Sequence, residues 1–270
     1  MQGVSPKPLT ENEMKPKLFI VSFIVLLIVS ACSPGQGPAA PSSSPAHWTY
    51  EGEEGPAHWG ELDPGYELCG TGKNQSPVDI ASPGEQDLAN IVFHYQPSEV
   101  NILNNGHTVQ VNYDAGSYIE LDGLRYDLVQ FHYHAPGEHE IDGMLFPAEL
   151  HLVHRNADGK LAVVGLLLQA GSAHAAFDPF IDNLPADESE VQDAGVKINA
   201  MDFLPDIQTT FRYSGSLTTP PCSEGVSWLV MTMPVDLSSA QLSKLEGLFE
   251  GNNRPVQPLN DRSLVEDTTP

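Results

Sequence analysis

Residues 130–134 read Gln-Phe-His-Tyr-His, and residues 149–154 read Glu-Leu-His-Leu-Val-His. Polar and apolar side chains alternate in both segments, which is typical of β-strands whose two faces meet different surroundings. Comparable strand-like runs recur along the chain and predict a largely β protein. These runs lie at residues 91–95, 108–113, 118–121, 126–133, 148–155, 161–168 and 226–233.

Helical patterns are few and lie outside these runs. Residues 238–249 place leucines at helical spacing behind two serines, which are suitable N-caps. The mixed, acidic stretch 179–201 is a candidate for a second helix. The run at 161–168 is apolar throughout, so we expect a central strand that is covered on both faces.

The two opening segments contain a candidate metal site. Residues two apart on a strand share a face, so His132 and His134 project together with Gln130, and His151 projects with Glu149. If the two strands are antiparallel neighbours, three imidazoles converge. Three neutral imidazoles leave one position of a tetrahedral ion open, as a catalytic Zn²⁺ site requires.

Two polar neighbours support this interpretation. Gln130 and Glu149 are placed to accept N–H bonds from the far side of His132 and His151, which orients the rings. A His-x-His pair alone is weak evidence, but the added Glu-x-His on a neighbouring strand strengthens it. The other histidines are interpreted as surface or hydrogen-bonded core residues, and His154 faces away from His151.

Composition excludes some functions. The 270 residues carry 12 Lys and Arg against 36 Asp and Glu, a net charge of −24. Such a surface repels nucleic acid, so no nucleic-acid partner is expected. Acidic chains of this kind suit saline or alkaline surroundings, and we expect stability to rise with added salt.

The N-terminus reads as a targeting segment. Residues 18–29 are LFIVSFIVLLIV, preceded by Lys15 and Lys17. This apolar run is short for a bilayer span and fits a signal peptide, with a transmembrane anchor as the alternative. Met14 is a candidate for the true first residue.

A cysteine ends this segment. Residues 29–32 read Val-Ser-Ala-Cys and resemble a bacterial lipoprotein box, in which Cys32 is lipidated after cleavage. Ordinary cleavage that removes Cys32 or leaves it free is the alternative. The predicted location is exported, periplasmic or on the cell surface, with the lipid on Cys32 as the only membrane attachment.

The chain then divides as follows. Residues 1–32 are the signal segment, residues 33–46 are a Pro- and Ser-rich linker, residues 47–262 are one domain, and residues 263–270 are a frayed tail.

Two further cysteines lie in the predicted domain, Cys69 and Cys222. An exported protein matures in an oxidising compartment, so we expect these two to pair if Cys32 carries lipid. Two buried free thiols are the alternative. The bridge would close a loop of roughly 150 residues and contribute about 4–5 kcal/mol in the chain-entropy model.

Several sequence blocks resemble the α-class carbonic anhydrases of the bacterial, exported kind. The resemblance covers nearly the whole predicted domain, so chance agreement is negligible. Besides the two histidine segments, it rests on residues 47–50 (HWTY), 55–59 (GPAHW), 74–80 (NQSPVDI), 104–107 (NNGH) and 216–221 (SLTTPP).

The resemblance implies both fold and activity. The fold is a single mainly β (α+β) domain, built on a large, twisted, mostly antiparallel sheet with short peripheral helices. The activity is reversible hydration of CO₂ to bicarbonate and a proton, by attack of a zinc-bound hydroxide. Bacterial members pair cysteines that correspond to Cys69 and Cys222. A homodimer is compatible with the resemblance.

The resemblance also assigns roles to side chains. His132, His134 and His151 hold Zn²⁺, and Thr218 accepts a hydrogen bond from the hydroxide while donating its own to Glu138. A solvated loop carboxylate is the alternative for Glu138.

His107 matches the proton shuttle, for which a turn histidine is the alternative. The residues that match its water network are Tyr50, Asn105 and Gln110. The residues that match the apolar substrate pocket, and that are equally plain core, are Val153, Val163, Leu217, Thr219, Val226 and Trp228.

The chain departs from the animal pattern in two places. Ala135 and Pro136 stand where animal enzymes carry Trp-Gly, and Gln110 stands where Asn is common. Neither departure touches the predicted ligands, so only the water network and the turnover rate are affected.

Two other interpretations compete. The spacing of His132, His134 and Glu138 matches the start of a cupin motif, with Glu138 as a ligand to Fe or Mn, but Tyr126 stands where that motif needs glycine. A non-catalytic zinc-binding or adhesion module on the same fold is the other alternative. The presence of Glu138, Thr218 and His107 argues against it, because binding needs none of them.

Overall fold

The computed structural model describes residues 46–249 and 251–269. The predicted signal segment, Cys32 and nearly all of the predicted linker lie outside the described residues. In the part described, no helix combines the length and the apolar character that a bilayer crossing requires. The α-helices are α1 (Trp59–Leu62), α2 (Glu67–Thr71), α3 (Asp178–Ile181) and α4 (Ser239–Glu246).

Strands dominate the described residues. They are β1 (Asp79–Ile80), β2 (Gly84–Gln86), β3 (Val92–His94), β4 (Ser98–Asn104), β5 (Val109–Asn112), β6 (Tyr118–Leu121), β7 (Leu124–His134), β8 (Glu140–Ile141), β9 (Met144–Leu145), β10 (Ala148–Arg155), β11 (Leu161–Ala170), β12 (Gln192–Ile198), β13 (Thr210–Ser216), β14 (Glu224–Met231), β15 (Val235–Leu237) and β16 (Val265–Asp267).

One large sheet of thirteen strands organises the molecule. Its hydrogen-bonded order is β12-β4-β5-β7-β10-β11-β14-β13-β16-β2, with β15 beside β11, β6 beside β7, and β3 beside β6. Most neighbours are antiparallel, whereas β11 runs parallel to β14 and β15, and β16 runs parallel to β2. The prediction of a mainly β fold on a large, mostly antiparallel sheet with short helices is confirmed.

Strand alternation separates a core face from a polar face. On β7, Phe131 and Tyr133 lie in the larger apolar cluster, so His132 and His134 face the other side of the sheet. The apolar run in β11 is buried almost throughout, as expected for a central strand covered on both faces. The side chains that cover the core face from short helices and turns are Phe177, Phe180, Phe203, Leu242 and Leu245.

The register of the central strands brings the histidines together. β7 and β10 are antiparallel, with His132 opposite His151 and His134 opposite Glu149. On the other side of β7, β5 places Gln110 opposite His132. The condition on which the sequence-based metal site rested is therefore met.

Helix α4 forms where the leucine spacing predicts it. Ser238 caps the helix by accepting the backbone N–H of Gln241, and the Gln241 side chain accepts the Ser238 backbone N–H in return. This reciprocal capping box satisfies two N–H groups that a helix end otherwise leaves unpaired.

The candidate helix within residues 179–201 forms over a single turn only. Only the short α3 lies near its start, and residues 192–198 form β12 at the edge of the sheet, paired with β4. Gly195, which adopts a positive φ of 67°, and Pro185 both oppose a continuous helix through this stretch.

The frayed tail expected at 263–270 is wrong. Residues 265–267 form β16, which pairs with β13 and β2 inside the large sheet. The Asp267 carboxylate is only 1% exposed and forms an ion pair with Arg212. A buried ion pair fixes this segment in a way that its polar composition does not reveal.

Candidate metal centre and active site

Three histidine rings converge on the polar face of β7 and β10. His132, His134 and His151 each place one ring nitrogen within 4.8 Å of the others. Their ring centroids lie 4.8–5.2 Å apart. The predicted convergence of three imidazoles is therefore what the strand register produces.

Each ring is held by an acceptor behind it. His132 Nδ1 donates to Gln130 Oε1 at 2.8 Å, His134 Nδ1 donates to the Asn252 carbonyl at 2.5 Å, and His151 Nε2 donates to Glu149 Oε1 at 2.8 Å. These bonds fix the tautomers. They direct Nε2 of His132, Nε2 of His134 and Nδ1 of His151 toward the shared centre.

The centre suits a cation. His134 Nε2 is buried and has no hydrogen-bond partner among the described residues, and a buried polar atom without a partner is costly. Burial lowers the pKa of all three rings, that of His134 to about 4. Neutral rings with a convergent lone pair are ligands suited to Zn²⁺.

Glu149 supports the site through more contacts than the sequence predicted. Its Oε1 accepts from both His151 and His139, and its Oε2 accepts the backbone N–H groups of Glu138 and His139, all at 2.7–2.8 Å. His139 Nε2 lies 2.7 Å from the Tyr213 hydroxyl. His139 is thus a hydrogen-bonded core histidine that orients the carboxylate behind a ligand.

Glu138 lies beside the rings and is fully buried. Its Oε1 accepts the Arg254 backbone N–H at 2.8 Å. Burial raises the pKa of Glu138 to about 7, against the lowering effect of the His151 ring and of the Arg254 backbone N–H. Oε2 is buried and accepts no hydrogen bond among the described residues, so the predicted hydrogen bond from Thr218 to Glu138 stays a prediction.

A cavity of about 120 Å³ opens onto the rings. Ten residues line it, and they include every predicted member of the water network. They are Trp48, Tyr50, Asn105, His107, Thr108, Gln110, Gln130, His132, His134 and Thr219.

The polar residues that line this cavity differ in the hydrogen bonds that they make. Asn105 Oδ1 accepts the backbone N–H groups of His107 and Thr108, so this side chain shapes the turn that carries His107. Gln110 donates to Asn112 at 2.7 Å. The Tyr50 hydroxyl is buried without a partner among the described residues, and burial followed by the charge of Glu138 raises its pKa well above 10.0.

His107 lies at the mouth of the cavity. Its ring stacks on Trp48, with a centroid distance of 3.6 Å and an interplanar angle of 8°. Burial and the charge of His47 lower the pKa of His107, and Glu188 raises it.

The predicted pocket wall belongs to one apolar cluster on the same side of the sheet as the three histidine rings. Val163, Val226 and Trp228 are buried in it, and Val153 and Leu217 pack against it partly buried. The Trp228 ring lies 4.8 Å from the His151 ring. The apolar surface therefore reaches one of the candidate ligands directly.

The Cys69–Cys222 pair forms a disulfide, with Cα atoms 5.0 Å apart. It joins α2 to the loop that carries Thr218 and Thr219. Cys222 N donates to the Thr219 carbonyl at 2.8 Å, so the bridge fixes the loop that lines the cavity.

Trp48 and Thr108 of the cavity lining escaped the sequence analysis, and so did two residues that hold the site from behind. Asn252 receives the His134 N–H on its carbonyl, and its Nδ2 donates to the backbone carbonyls of His107 and Tyr133 at 3.0 and 3.1 Å. Arg254 is fully buried, and its guanidinium donates to Gln75 and to the Cys69 carbonyl at 2.8 and 2.9 Å. Both lie in an irregular segment without periodicity, where a buried Asn and Arg give no pattern.

Comparison with known proteins gives a consistent result. A family model described as eukaryotic-type carbonic anhydrase matches residues 54–268. A carbonic anhydrase from Pectobacterium atrosepticum is 43% identical over 244 residues, which cover 90% of this chain and 98% of that protein. A carbonic anhydrase from Nostoc sp. is 45% identical over 226 residues, or 82% of this chain and 86% of that protein.

Solved structures agree with these relatives. The α-carbonic anhydrase from Thermovibrio ammonificans, solved with the inhibitor sulfanilamide, superposes with a TM-score of 0.80 at 41% identity. The match covers 82% of this chain and 99% of that structure. The cupin interpretation is therefore wrong. Two groups in the described part of the chain could hold a metal ion, His132/His134/His151 and His139/Glu149/His151, and Glu138 belongs to neither.

Proposed function

The chain belongs to the eukaryotic-type, α-class carbonic anhydrase family, and from that premise we propose that it hydrates CO₂ reversibly with a Zn²⁺ ion held by His132, His134 and His151. Family membership makes the chain a carbonic anhydrase, with CO₂ and bicarbonate as substrate and product. The metal and the role of each side chain are the proposal.

One observation carries the proposal, namely the three ring nitrogens directed at a common point. The buried His134 Nε2 has no hydrogen-bond partner among the described residues, as expected of an atom that binds a metal ion. Bound there, Zn²⁺ would supply a hydroxide nucleophile near neutral pH by lowering the pKa of a water molecule to about 7, the value general to zinc sites of this family.

Thr218 and Glu138 orient the nucleophile in this proposal. The positive charge of a bound Zn²⁺ would favour the ionised form of Glu138 against the burial that raises its pKa to about 7. Ionised Glu138 would then accept a hydrogen bond from the Thr218 hydroxyl. The Thr218 oxygen would then be free to accept a hydrogen bond from the nucleophile that the metal would supply. Thr218 would thereby orient this nucleophile toward the carbon atom of CO₂, which is a positioning effect.

CO₂ is uncharged and needs an apolar surface near the nucleophile. The cluster that holds Val163, Val226 and Trp228 provides it, with Val153 and Leu217 at its border. A neutral, apolar wall binds CO₂ without favouring bicarbonate, and so it helps product to leave.

Each hydration also releases a proton. His107 receives it through waters that Tyr50, Asn105 and Gln110 border, since all four residues line the same cavity. An imidazole suits this task because its pKa lies near neutral pH, so it both accepts and releases the proton.

We further propose that the chain is exported and lipid-anchored at Cys32, with a domain that begins near residue 47 after the linker and includes strand β16. The disulfide is consistent with an oxidising compartment. Fatty-acid labelling of the wild type and of Cys32→Ser tests the anchor. Analytical ultracentrifugation tests the homodimer that the resemblance allows.

Stopped-flow CO₂ hydration by the full chain in detergent tests the function. We expect fast hydration that disappears when a chelator strips the metal and returns with added zinc. His134→Ala should abolish both zinc binding and hydration. His94→Ala, which alters a histidine on β3 far from the site, should change neither.

The alternative, a zinc-binding or adhesion module without catalysis, predicts a different result. Full zinc occupancy together with no hydration above the buffer rate would overturn the proposed enzyme and favour that module.

A further inference from the structure

A second histidine lies beyond His107 on the outer side of the cavity. The ring centroids of His47 and His107 are 6.5 Å apart, a gap that one hydrogen-bonded water can bridge. Trp48 follows His47 in the chain and stacks on His107. The same short segment therefore holds the His107 ring and presents His47 beside it.

His47 is paired with a carboxylate that faces solvent. Its Nδ1 lies 3.1 Å from Glu54 Oε2, and the two side chains are 71% and 52% exposed. A backbone hydrogen bond of 2.9 Å from Thr49 N to the Glu54 carbonyl closes this turn. The turn fixes Glu54 near His47 through the main chain as well as through the side chains.

His107 itself reaches solvent less freely. One ring face lies against Trp48, and the ring is partly buried. A proton on His107 therefore reaches bulk solvent less freely than a proton on the more exposed His47.

We propose that His47, oriented by Glu54, is a second proton carrier that takes the proton from His107 and delivers it to solvent. This inference rests on the proposed function, since it extends the same proton path. An N–H bond of His107 breaks, an N–H bond forms on His47 through the intervening water, and the Glu54 carboxylate stabilises the new imidazolium. The His47 proton then passes to a solvent base, which restores the neutral ring.

Other charged groups face the same place. Glu188 approaches the turn of His107, within 3.6 Å of the position that a side chain on Gly106 would occupy. Ser189 holds this loop, since its N–H donates to the Asn104 carbonyl at 2.8 Å. Glu188 and Glu54 thus flank the two histidines, and their negative charge favours the passing proton.

Two matched variants test the relay in the zinc-loaded full chain. In His47→Ala, we expect kcat for CO₂ hydration at low buffer concentration to fall about threefold, because water and buffer still reach His107 directly. kcat/KM should stay unchanged, since it reports CO₂ conversion before the proton leaves. Saturating imidazole buffer should restore kcat.

His58→Ala is the control. His58 also lies near a glutamate, 4.0 Å from Glu61, and is well exposed, but it has no ring contact with His107 among the described residues. It should retain the wild-type kcat at every buffer concentration. A kcat for His47→Ala equal to that of His58→Ala at low buffer would overturn the proposal.

A second measurement does not depend on turnover. In the zinc-free chain, NMR titration of the His107 ring should show a higher pKa in His47→Ala than in the wild type, because a neighbouring positive charge is gone. An unchanged His107 titration would show that the rings do not interact and would overturn the relay. Failure of the proposed function would instead appear as absent hydration in the wild type.

Discussion

At the scale of single residues, Glu149 organises the metal centre. Burial alone would raise its pKa, but His139 and His151 hold the pKa of this carboxylate well below its usual range. Its two oxygens accept four hydrogen bonds, two from rings and two from the backbone. A single ionised side chain therefore fixes a ligand ring and the chain segment that carries Glu138.

Glu149→Gln should weaken zinc binding by about 10–100-fold. The new amide NH₂ would face the backbone N–H groups of Glu138 and His139, which are hydrogen-bond donors themselves. Because two donors cannot bond to each other, the carboxamide would shift away from His151. Competition with a chromophoric chelator measures the affinity. Glu85→Gln, at an exposed position on β2, is the control, and equal zinc affinities in the two variants would refute the prediction.

Glu224 gives a pH-dependent contribution to stability. Burial raises its pKa, but the hydrogen bonds from Asn74 and Gln75 outweigh burial and lower it overall. A carboxylate with a lowered pKa in the folded state stabilises the fold above the unfolded pKa of about 4.3, and this stability is lost as the pH falls through the folded value.

Glu224→Gln should therefore make the free energy of unfolding depend less on pH in the acid range. Above pH 5 we expect the variant to be less stable than the wild type, and the difference in the free energy of unfolding to shrink as the pH falls below about 4.3. Urea unfolding across this range measures it. A difference that is independent of pH would contradict the assignment.

At the scale of elements, strand β16 shows how a polar segment becomes structural. It lies between β13 and β2, and Asp267 accepts from Arg212 and from the Leu88 backbone N–H. The Arg212 side chain is about as buried as the apolar residues around it. The buried ion pair, together with the buried Leu264 beside the strand, holds this segment in the sheet.

Asp267→Ala should lower the free energy of unfolding by about 3–5 kcal/mol, because it leaves the buried Arg212 charge without its partner. Glu266→Ala, on the same strand, is the matched control and should cost little. Chemical denaturation measures both. Similar losses in the two variants would mean that pairing of β16, and not the buried charge, carries the stability.

The sequence predicted those elements whose side chains alternate in a simple way. β7, β10 and β11 were found because apolar residues mark one face or both. β4 was missed because its buried positions include Ser98 and Asn104, and β12 because its acidic, glycine-containing sequence lacks apolar alternation.

The same reasoning explains the site. Spacing alone placed His132 with His134, and His151 with Glu149, since strand geometry is local. Asn252 and Arg254 could not be predicted, because their role depends on a segment that returns to the ligand strand from more than 100 residues away along the sequence.

At the scale of the whole molecule, the disulfide and the charge act in opposite directions. The Cys69–Cys222 bridge spans 153 residues and stabilises the fold by restricting the unfolded chain. The net charge of −24 destabilises it through repulsion between carboxylates, which salt screens.

Reduction should lower the free energy of unfolding by about 4–5 kcal/mol in the chain-entropy model. Thermal unfolding with and without dithiothreitol measures the effect. The double variant Cys69→Ser, Cys222→Ser should show the melting temperature of the reduced wild type, both with and without dithiothreitol. A wild type that is insensitive to the reductant would refute the prediction.

Salt should raise the melting temperature. Molar NaCl screens the repulsion between carboxylates, so unfolding should shift upward between low and molar salt. Sodium sulfate at matched ionic strength controls for salting-out, which adds a further stabilisation of its own. A melting temperature unchanged by NaCl would count against this.

The separation of the two bridged cysteines also bears on how the chain matures. In a chain exported from its N-terminus, Cys69 reaches the oxidising side well before Cys222 is synthesised or translocated. Until Cys222 arrives, the Cys69 thiol has no native partner and can form a mixed disulfide with an oxidoreductase or with a neighbouring nascent chain. If Cys32 carries the proposed lipid, Cys222 is the one remaining intramolecular partner for this thiol. Pairing errors are then confined to contacts between molecules, and dilution or slow expression should suppress them.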